Sequence, residues 1–301
     1  MMQTGRRIGV VGTGIMGGHM ARRLSEAGFT VTAWNRTAQK VEALKGQGVS
    51  IGASATDAAR DADAVICMLS SGPVCDEVLL GQGGVIAAMK PGATLIVMSS
   101  IPVETAQAQA VAAAESKVRY IDAPVSGGEK GARDGTLAIM AGGDTETVEA
   151  MRPLFATLGR VTHVGPVGAG ELTKLANQLI VASNICAVAE ALTLAKRGGA
   201  DPARVREALL GGFADSTVLK QHALRMVEGD FQPGGPAKYQ VKDTSTALSL
   251  ARAHGLTLPV AENVDRLFQA MVENGDGDLD HSAVILELER MNSGGGTRPA
   301  E

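Results

Sequence analysis

One segment constrains the chain more than any other: RIGVVGTGIMGGHMARRL, Arg7 to Leu24. A β-branched run passes through Gly12-Thr13-Gly14-Ile15-Met16-Gly17 directly into a helical period. A strand that turns through G-x-G-x-x-G into a helix gathers backbone amides at one point. Gly12 permits the tight turn, Gly14 lets a ligand approach the backbone, and Gly17 lets helix and sheet pack closely. The helix N-terminus adds N–H donors and partial positive charge. The expectation is a dinucleotide-binding site formed by Gly12, Gly14, Ile15, Met16 and Gly17, with the pyrophosphate approaching the backbone at Gly14.

The context supports that reading. TVTAW, a helical TAQKVEALKGQG, AVICML, a helical segment from Val74 to Met89, TLIVMSS and a helix over Pro102 to Glu115 succeed one another in alternation. Such an order predicts an α/β, Rossmann-type doubly wound sheet. Near Tyr120 the pattern changes to YIDAPVSGG, then to TLAIMAGG, a strand expected near the sheet edge, then to a helix over Thr145 to Leu158 and to VTHVG. An almost unbroken apolar pattern from Ala169 to Arg197 predicts one long interdomain helix of about 40 Å. Beyond Arg197 the chain is helical in period, broken at GGADP, GGFADS, GDFQPGGP, HGLTLP and ENGDGD. The division expected is residues 1–165 for the dinucleotide-binding domain, 166–292 for an all-α C-terminal domain of substrate binding and oligomerisation, and 293–301 for a disordered tail.

Composition narrows the partners. With net charge −4, interspersed charges and 3% aromatic residues, the chain has no basic stripe and few stacking platforms, so nucleic acid is not an expected partner. Three cysteines, Cys67, Cys75 and Cys186, fit reduced packing thiols better than a disulfide framework. MMQTGRR runs into a glycine-broken segment unlike a signal-peptide core, and no apolar run is read as reaching spanning length. The expectation is a cytoplasmic protein without a membrane partner. The five histidines show no metal-ligand spacing, so no metal is expected, and His281 reads as a structural histidine.

The second strand ends in Trp34-Asn35-Arg36-Thr37, without the acid that commonly reads a free ribose 2′-hydroxyl. Asn35 and Thr37 can donate hydrogen bonds, and Arg36 can pair with a 2′-phosphate. NADP(H) is therefore the preferred cofactor, with NAD(H) the alternative. The plainer reading is an ordinary helix cap with a solvated arginine.

A second glycine loop, GPVGAGELTKLANQ from Gly165 to Gln178, lacks the dinucleotide spacing but opens the long helix. Lys174 with Asn177 or Gln178 shares one face of that helix. A desolvated lysine is a usable proton donor and acceptor, and neighbouring amides can hold a polar substrate. In DAPVSGG, Ser126 with the Gly127 and Gly128 amides offers a neutral site for a small carboxylate at a strand's carboxyl end. A plain turn is the competing reading there.

Together IGVVGTGIMGGHMA, DAPVSGG, GPVGAGELTKLANQ and KYQVKDTSTAL resemble the β-hydroxyacid dehydrogenase family, over about Arg7 to Met291. The resemblance implies that Lys174 is the catalytic acid/base, that Asn177 and Gln178 help hold substrate, and that Ser126, Gly127 and Gly128 bind its polar end. It also implies that Met68, Leu69 and Lys242 serve the cofactor, and that the chain forms homodimers or homotetramers. Many relatives carry asparagine where Gln178 stands, which leaves the roles of Asn177 and Gln178 open. Val97 stands where relatives commonly have aspartate, and Arg23 where asparagine is common. MSSI, KLANQ, GGFADSTVL and LDHSA resemble the subgroup that reduces tartronate semialdehyde to D-glycerate. Expected substrates are small hydroxy acids or semialdehydes. Methylmalonate semialdehyde, succinate semialdehyde and glyoxylate are alternatives within the family. Lys174 argues against an imine reductase or a catalytically silent NADP-binding module.

Overall fold

The computed structural model describes residues 5–293. It divides into two units, Met1–Lys174 and Leu175–Glu301. The first holds a nine-stranded sheet: β1 Arg7–Val11, β2 Thr30–Trp34, β3 Val49–Ile51, β4 Ala64–Cys67, β5 Thr94–Val97, β6 Arg119–Asp122, β7 Val125–Ser126, β8 Leu137–Gly143 and β9 Gly159–Gly165. Its helices are α1 Ile15–Glu26, α2 Ala38–Glu42, α3 Ala55–Ala59, α4 Gly72–Leu80, α5 Val85–Ala88, α6 Val103–Glu115, α7 Gly128–Asp134 and α8 Thr145–Leu158.

Strand order is β3-β2-β1-β4-β5-β6-β8-β7, with β9 paired to β8. The pairings from β3 to β6 are parallel, whereas β8 runs antiparallel to β6 and β7. The doubly wound sheet thus gains an antiparallel extension, with TLAIMAGG lying inside it and not at its rim. Alternation along the central strands explains the two layers. Ala64 and Ile66 of β4 face the core formed with α1 and α8, and Val65 and Cys67 face the core formed with α4 and α6. Parallel strands covered on both faces need such continuous apolar runs.

The second unit is helical: the greater part of α9 Ala169–Arg197, α10 Pro202–Leu209, α11 Thr217–Glu228, α12 Ala237–Ala253, α13 Pro259–Met271 and α14 Val284–Ser293. Its core gathers Ile185, Ala189 and Leu192 of α9 with Leu219, Phe268, Met271 and Val284. Asp201 and Ser216 cap α10 and α11 by accepting from Ala203 and Leu219 N–H. By length and composition α9 is apolar enough to cross a membrane, and 33% of that stretch is buried. This corrects the reading that no run reaches spanning length: Leu175–Ala189 is interrupted by three amides and one serine but carries no charge. Ser293 ends α14, and the rest of the tail expected to be disordered lies outside the described residues.

Candidate active site

The N-terminal glycine turn has three differently placed glycines. Gly12, at φ +99°, donates its N–H to Trp34 O at 2.8 Å. A Cβ there would lie 2.2 Å from Met68 O and 2.8 Å from Leu69 Cδ2, so the turn abuts the end of β4. A Cβ on Gly17 would lie 1.9 Å from Gly12 O. Gly14 has open space instead, with nothing within 4 Å of its Cβ position. It is the N-cap of α1, no side chain caps that end, and no acid lies in the first turn. Uncapped helix-start amides beside a position open for close approach fit a dinucleotide pyrophosphate. Ile15, 69% exposed at the same place, is an apolar side chain that a bound cofactor would cover.

Around this cradle the chain ties itself together. Asn35 Oδ1 accepts the Thr13 N–H at 3.0 Å, and Asn35 Nδ2 donates to Thr37 O at 3.1 Å. Asn35 is thus first a brace for the glycine loop, with one Nδ2 hydrogen left to donate. Thr37 occupies the N-cap position of α2 but makes no side-chain cap bond, so the plain helix-cap reading is not realised. Arg36 is exposed. Met68 extends the β4 ladder by donating to Val11 O at 2.9 Å. Leu69 N–H donates to Ser99 Oγ at 2.7 Å, and Ser99 Oγ donates to Cys67 O at 3.3 Å. Ser99, buried, staples the ends of β4 and β5, a role that the motif MSSI does not disclose.

Arg23 also has a defined place. Its Nε donates to Thr157 O at 2.8 Å and its Nη1 to Arg133 O at 3.2 Å, joining α1 to the ends of α8 and α7. The shorter amide of an asparagine could not span both. Val97 is fully buried and registers with Asp122 across β5 and β6.

DAPVSGG runs from the end of β6 through β7. Ser126 is half-buried, and Gly127 and Gly128 are exposed at φ +135° and +60°, conformations that favour glycine. Asp122, at the head of this segment, is fully buried. Its Oδ1 accepts from Gly168 N–H at 2.8 Å and its Oδ2 from Glu171 N–H at 2.9 Å, at the start of α9. Burial pushes its carboxyl up to about 6, against those donors, which favour the charged form. Lys174, half-buried, comes one turn beyond Glu171.

Further along α9, Asn177 Nδ2 donates to Gln178 Oε1 at 2.9 Å, and Gln178 Nε2 donates to Asp243 Oδ2 at 2.7 Å. Lys242 Nζ lies 3.0 Å from Asp243 Oδ1. An ordered chain Asn177–Gln178–Asp243–Lys242 results within the second unit. Both ends of the Gln178 amide are engaged in it, whereas Asn177 keeps its carbonyl oxygen and one N–H for another partner. Asp243 did not emerge from the sequence pattern, although it adjoins Lys242 in the motif KYQVKD.

One metal-compatible grouping escaped the spacing argument: His222, Asp280 and His281 place ligand atoms within 4.8 Å of one another. Residues 222 and 281 are far apart in sequence, so no local motif marks them. Asp280 Oδ1 accepts from Ser282 N–H and Oγ, and Oδ2 from Gly234 and Gly235 N–H, with Arg225 Nη1 at 3.6 Å. Asp280 caps the short 3₁₀ turn His281–Ala283. Burial lowers the His281 pKa to about 4, with Asp280 opposing that shift.

Comparisons with known proteins agree with the fold. Residues 7–165 match a family model described as the NAD binding domain of 6-phosphogluconate dehydrogenase. Residues 168–288 match one described as NAD-binding of NADP-dependent 3-hydroxyisobutyrate dehydrogenase. The 2-hydroxy-3-oxopropionate reductase of Escherichia coli (strain K12) is 44% identical over 289 residues, 95% of this chain and 98% of that protein. Glyoxylate/succinic semialdehyde reductase 1 of Arabidopsis thaliana is 34% identical, over 92% of this chain and 96% of that protein. The structure of 3-hydroxyisobutyrate dehydrogenase from Mycobacterium tuberculosis with L-serine superposes with a TM-score of 0.86 at 31% identity, covering 96% of this chain and 99% of that one. A Rossmann sheet with an open glycine turn, continued by this helical domain, defines an NAD(P)-dependent oxidoreductase. The chain belongs to the β-hydroxyacid dehydrogenase family, as one of its NAD(P)-dependent dehydrogenases or reductases.

Proposed function

We propose that the protein is an NADPH-dependent reductase of a small carboxylate-bearing aldehyde, with tartronate semialdehyde as substrate and D-glycerate as product. The observation that carries this reading is Lys174, placed on α9 just after a helix start that is fastened to the DAPVSGG segment. The 44% identity to a 2-hydroxy-3-oxopropionate reductase supports the choice of substrate.

Gly12, Gly14, Ile15, Met16 and Gly17, with Met68 and Leu69 behind the turn, would hold the cofactor, which when bound would supply the hydride. Lys174 delivers a proton to the carbonyl oxygen on which negative charge grows. Asn177, with donor capacity left over, contributes a further hydrogen bond to that oxygen. Gln178 acts mainly by holding Asn177, and Asp243 by holding Gln178 and Lys242. Ser126 and the Gly127 and Gly128 amides hold the substrate carboxylate. Arg36, with Asn35 and Thr37, would hold the 2′-phosphate of NADPH, so NADH would serve less well.

The same reading makes the protein a cytoplasmic homodimer or homotetramer. A groove of about 420 Å³ lined by Leu179, Ile180, Ser183 and Leu258–Ala261 supports the self-association, because Ile180 and Val260 are apolar and largely exposed there.

The test is the initial rate of NADPH oxidation with tartronate semialdehyde, beside methylmalonate semialdehyde, succinate semialdehyde and glyoxylate, with NADH substituted in each. The highest kcat/KM is expected for tartronate semialdehyde with NADPH. Lys174→Ala is expected to lower kcat by about 10²-fold or more while leaving NADPH affinity nearly intact. Near-normal turnover in that variant removes Lys174 from the mechanism, and a faster aldehyde replaces the substrate.

A further inference from the structure

We propose that Asp122 is a positioning residue for catalysis, a buried carboxylate that clamps the start of α9 to the substrate-loop strand and so sets where Lys174 stands. The proposal rests on the reading of Lys174 as the proton donor.

Three observations carry it. First, Asp122 is fully buried, and both of its oxygens are engaged by the helix start, Oδ1 by Gly168 N–H and Oδ2 by Glu171 N–H. The first amides of a helix have no partner within it, and a carboxylate is the acceptor that their partial positive charge favours. Second, two glycines from different elements make room for the clamp. A Cβ on Gly142 of β8 would lie 2.7 Å from Asp122 Oδ1 and 2.7 Å from Gly170 N. A Cβ on Gly170 of α9 would lie 2.4 Å from Met140 O, 2.5 Å from Asp122 O and 2.8 Å from Asp122 Oδ2. Helix and sheet therefore meet at a backbone distance that no side chain could share. Third, His163 braces the same approach from β9, with Nε2 2.9 Å from both Gly143 O and Gly165 O.

Sequence position converts the clamp into a catalytic device. Asp122 lies four residues before Ser126, and its partner Glu171 lies three residues before Lys174. One side chain thus registers the proposed proton donor against the proposed carboxylate site. A shift of about 1 Å at such a point lowers turnover by as much as about 10²-fold while leaving a remote binding site intact.

The clamp is also pH-sensitive. Burial raises the Asp122 pKa to about 6. The titratable or charged groups on the elements packed around it are Arg119 and Tyr120 on β6, Glu171 and Lys174 at the start of α9, Arg160 and His163 on β9, Glu104 and Glu115 on α6, and Glu146, Glu149 and Arg152 on α8, with the buried thiols of Cys67 and Cys75 on β4 and α4. Below pH about 6 a protonated Asp122 gives up one of its two acceptors, and turnover falls. The fold does not weaken through this group in that window. Because the native pKa lies above the unfolded one, the native state binds the extra proton between about 4 and 6, and this term favours the fold as pH drops.

The experiment compares the full-length protein with Asp122→Asn, Lys174→Ala and the double variant, using tartronate semialdehyde and NADPH. It reads kcat, KM, the pH profile of kcat, NADPH affinity and thermal midpoint. Asp122→Asn keeps shape but points an amide N–H₂ at a backbone N–H. Expected are a fall in kcat of about 10- to 100-fold, NADPH affinity within about twofold, and loss of the acid limb near pH 6. In the Lys174→Ala background the same change is expected to have no further effect on kcat, because Asp122 acts through the lysine. Losses that multiply in the double variant, or an unchanged kcat with an unchanged acid limb in Asp122→Asn, overturn the proposal while Lys174 stands. Near-normal turnover in Lys174→Ala alone is the separate signature of a wrong proton donor. Should Asp122→Asn fail to fold, Gly142→Ala displaces the carboxylate without changing its charge. It must then lower kcat and move the acid limb, and an unmoved profile overturns the clamp.

Discussion

Two glycine-rich helix starts in the same unit are finished in opposite ways. The start of α1 is left open: its N-cap is Gly14, its first turn lacks an acid, and a Cβ at Gly14 would touch nothing within 4 Å. The start of α9 is closed: Asp122 accepts from two of its amides, Glu171 lies in its first turn, and Gly170 is pressed against Met140 O. Both expose the same unsatisfied donors and positive end. Where the chain withholds an anion, a ligand's phosphates can supply it. Where it provides its own, the helix is pinned, and a side chain one turn further on acquires a fixed place. Glycine content alone therefore does not mark an anion site; the deciding feature is whether a carboxylate from elsewhere in the chain already fills it.

The comparison breaks most visibly at Gly12. At φ +99°, with Met68 O 2.2 Å from the Cβ position, Gly12→Ala should weaken NADPH binding by about 100-fold or more and destabilise the fold by about 2–4 kcal/mol. Fluorescence titration and urea unfolding read the two effects. Next comes the closed end. Gly170→Ala should lower kcat by about 10-fold or more through displacement of α9, with NADPH affinity within about twofold. If affinity falls instead, the two ends are not functionally separate. At the open end, Gly14→Ala should weaken NADPH by about 10-fold through crowding of the pyrophosphate, yet shift the thermal midpoint by no more than a degree or two. An unchanged affinity would place the phosphates elsewhere. Arg36→Ala sharpens the picture at the ribose: NADPH affinity should fall by about 10-fold and NADH affinity hardly at all, with the difference shrinking at high salt. The smallest effect belongs to Arg23→Ala. Removing its bonds to Thr157 O and Arg133 O should lower stability by about 1–2 kcal/mol and leave kcat and both cofactor affinities unchanged.

Local chemistry made much of this legible in the sequence. The α1 turn, the β1 and β2 bounds and the whole of α9 arise from glycine spacing and apolar period, signals contained within a few turns of chain. β3, three residues long, and α3, five, are too short for either period to register and are held by their neighbours. The antiparallel set of β8 depends on pairing across the sheet, which no local pattern encodes. In the site the difference has the same origin. Lys174, Ser126 and the glycines stand in recognisable strings, but Asp122 gains its role from amides 46 and 49 residues away, and Asp243 from Gln178, 65 residues away. The signal that could have found Asp122 is a carboxylate ending a buried strand in a chain with a second glycine-rich helix start. For Asp243 it is an acid beside Lys242, on the buried face of α12. His222 and His281 needed the fold to bring them together.

The three cysteines give the molecule a built-in clock. Cys67 and Cys75, with sulfurs 3.9 Å apart, are fully buried in the first unit, and Cys186 is buried in the second. The Cys67 thiol is held far above its ordinary pKa, first by the neighbouring Cys75 and then by burial. Burial carries that of Cys186 up to about 12. In the native protein all three are buried away from an alkylating reagent. Each becomes reactive only when its surroundings open, so the order in which a reagent's mass appears on Cys67, Cys75 or Cys186 reports which half of the chain loosens first.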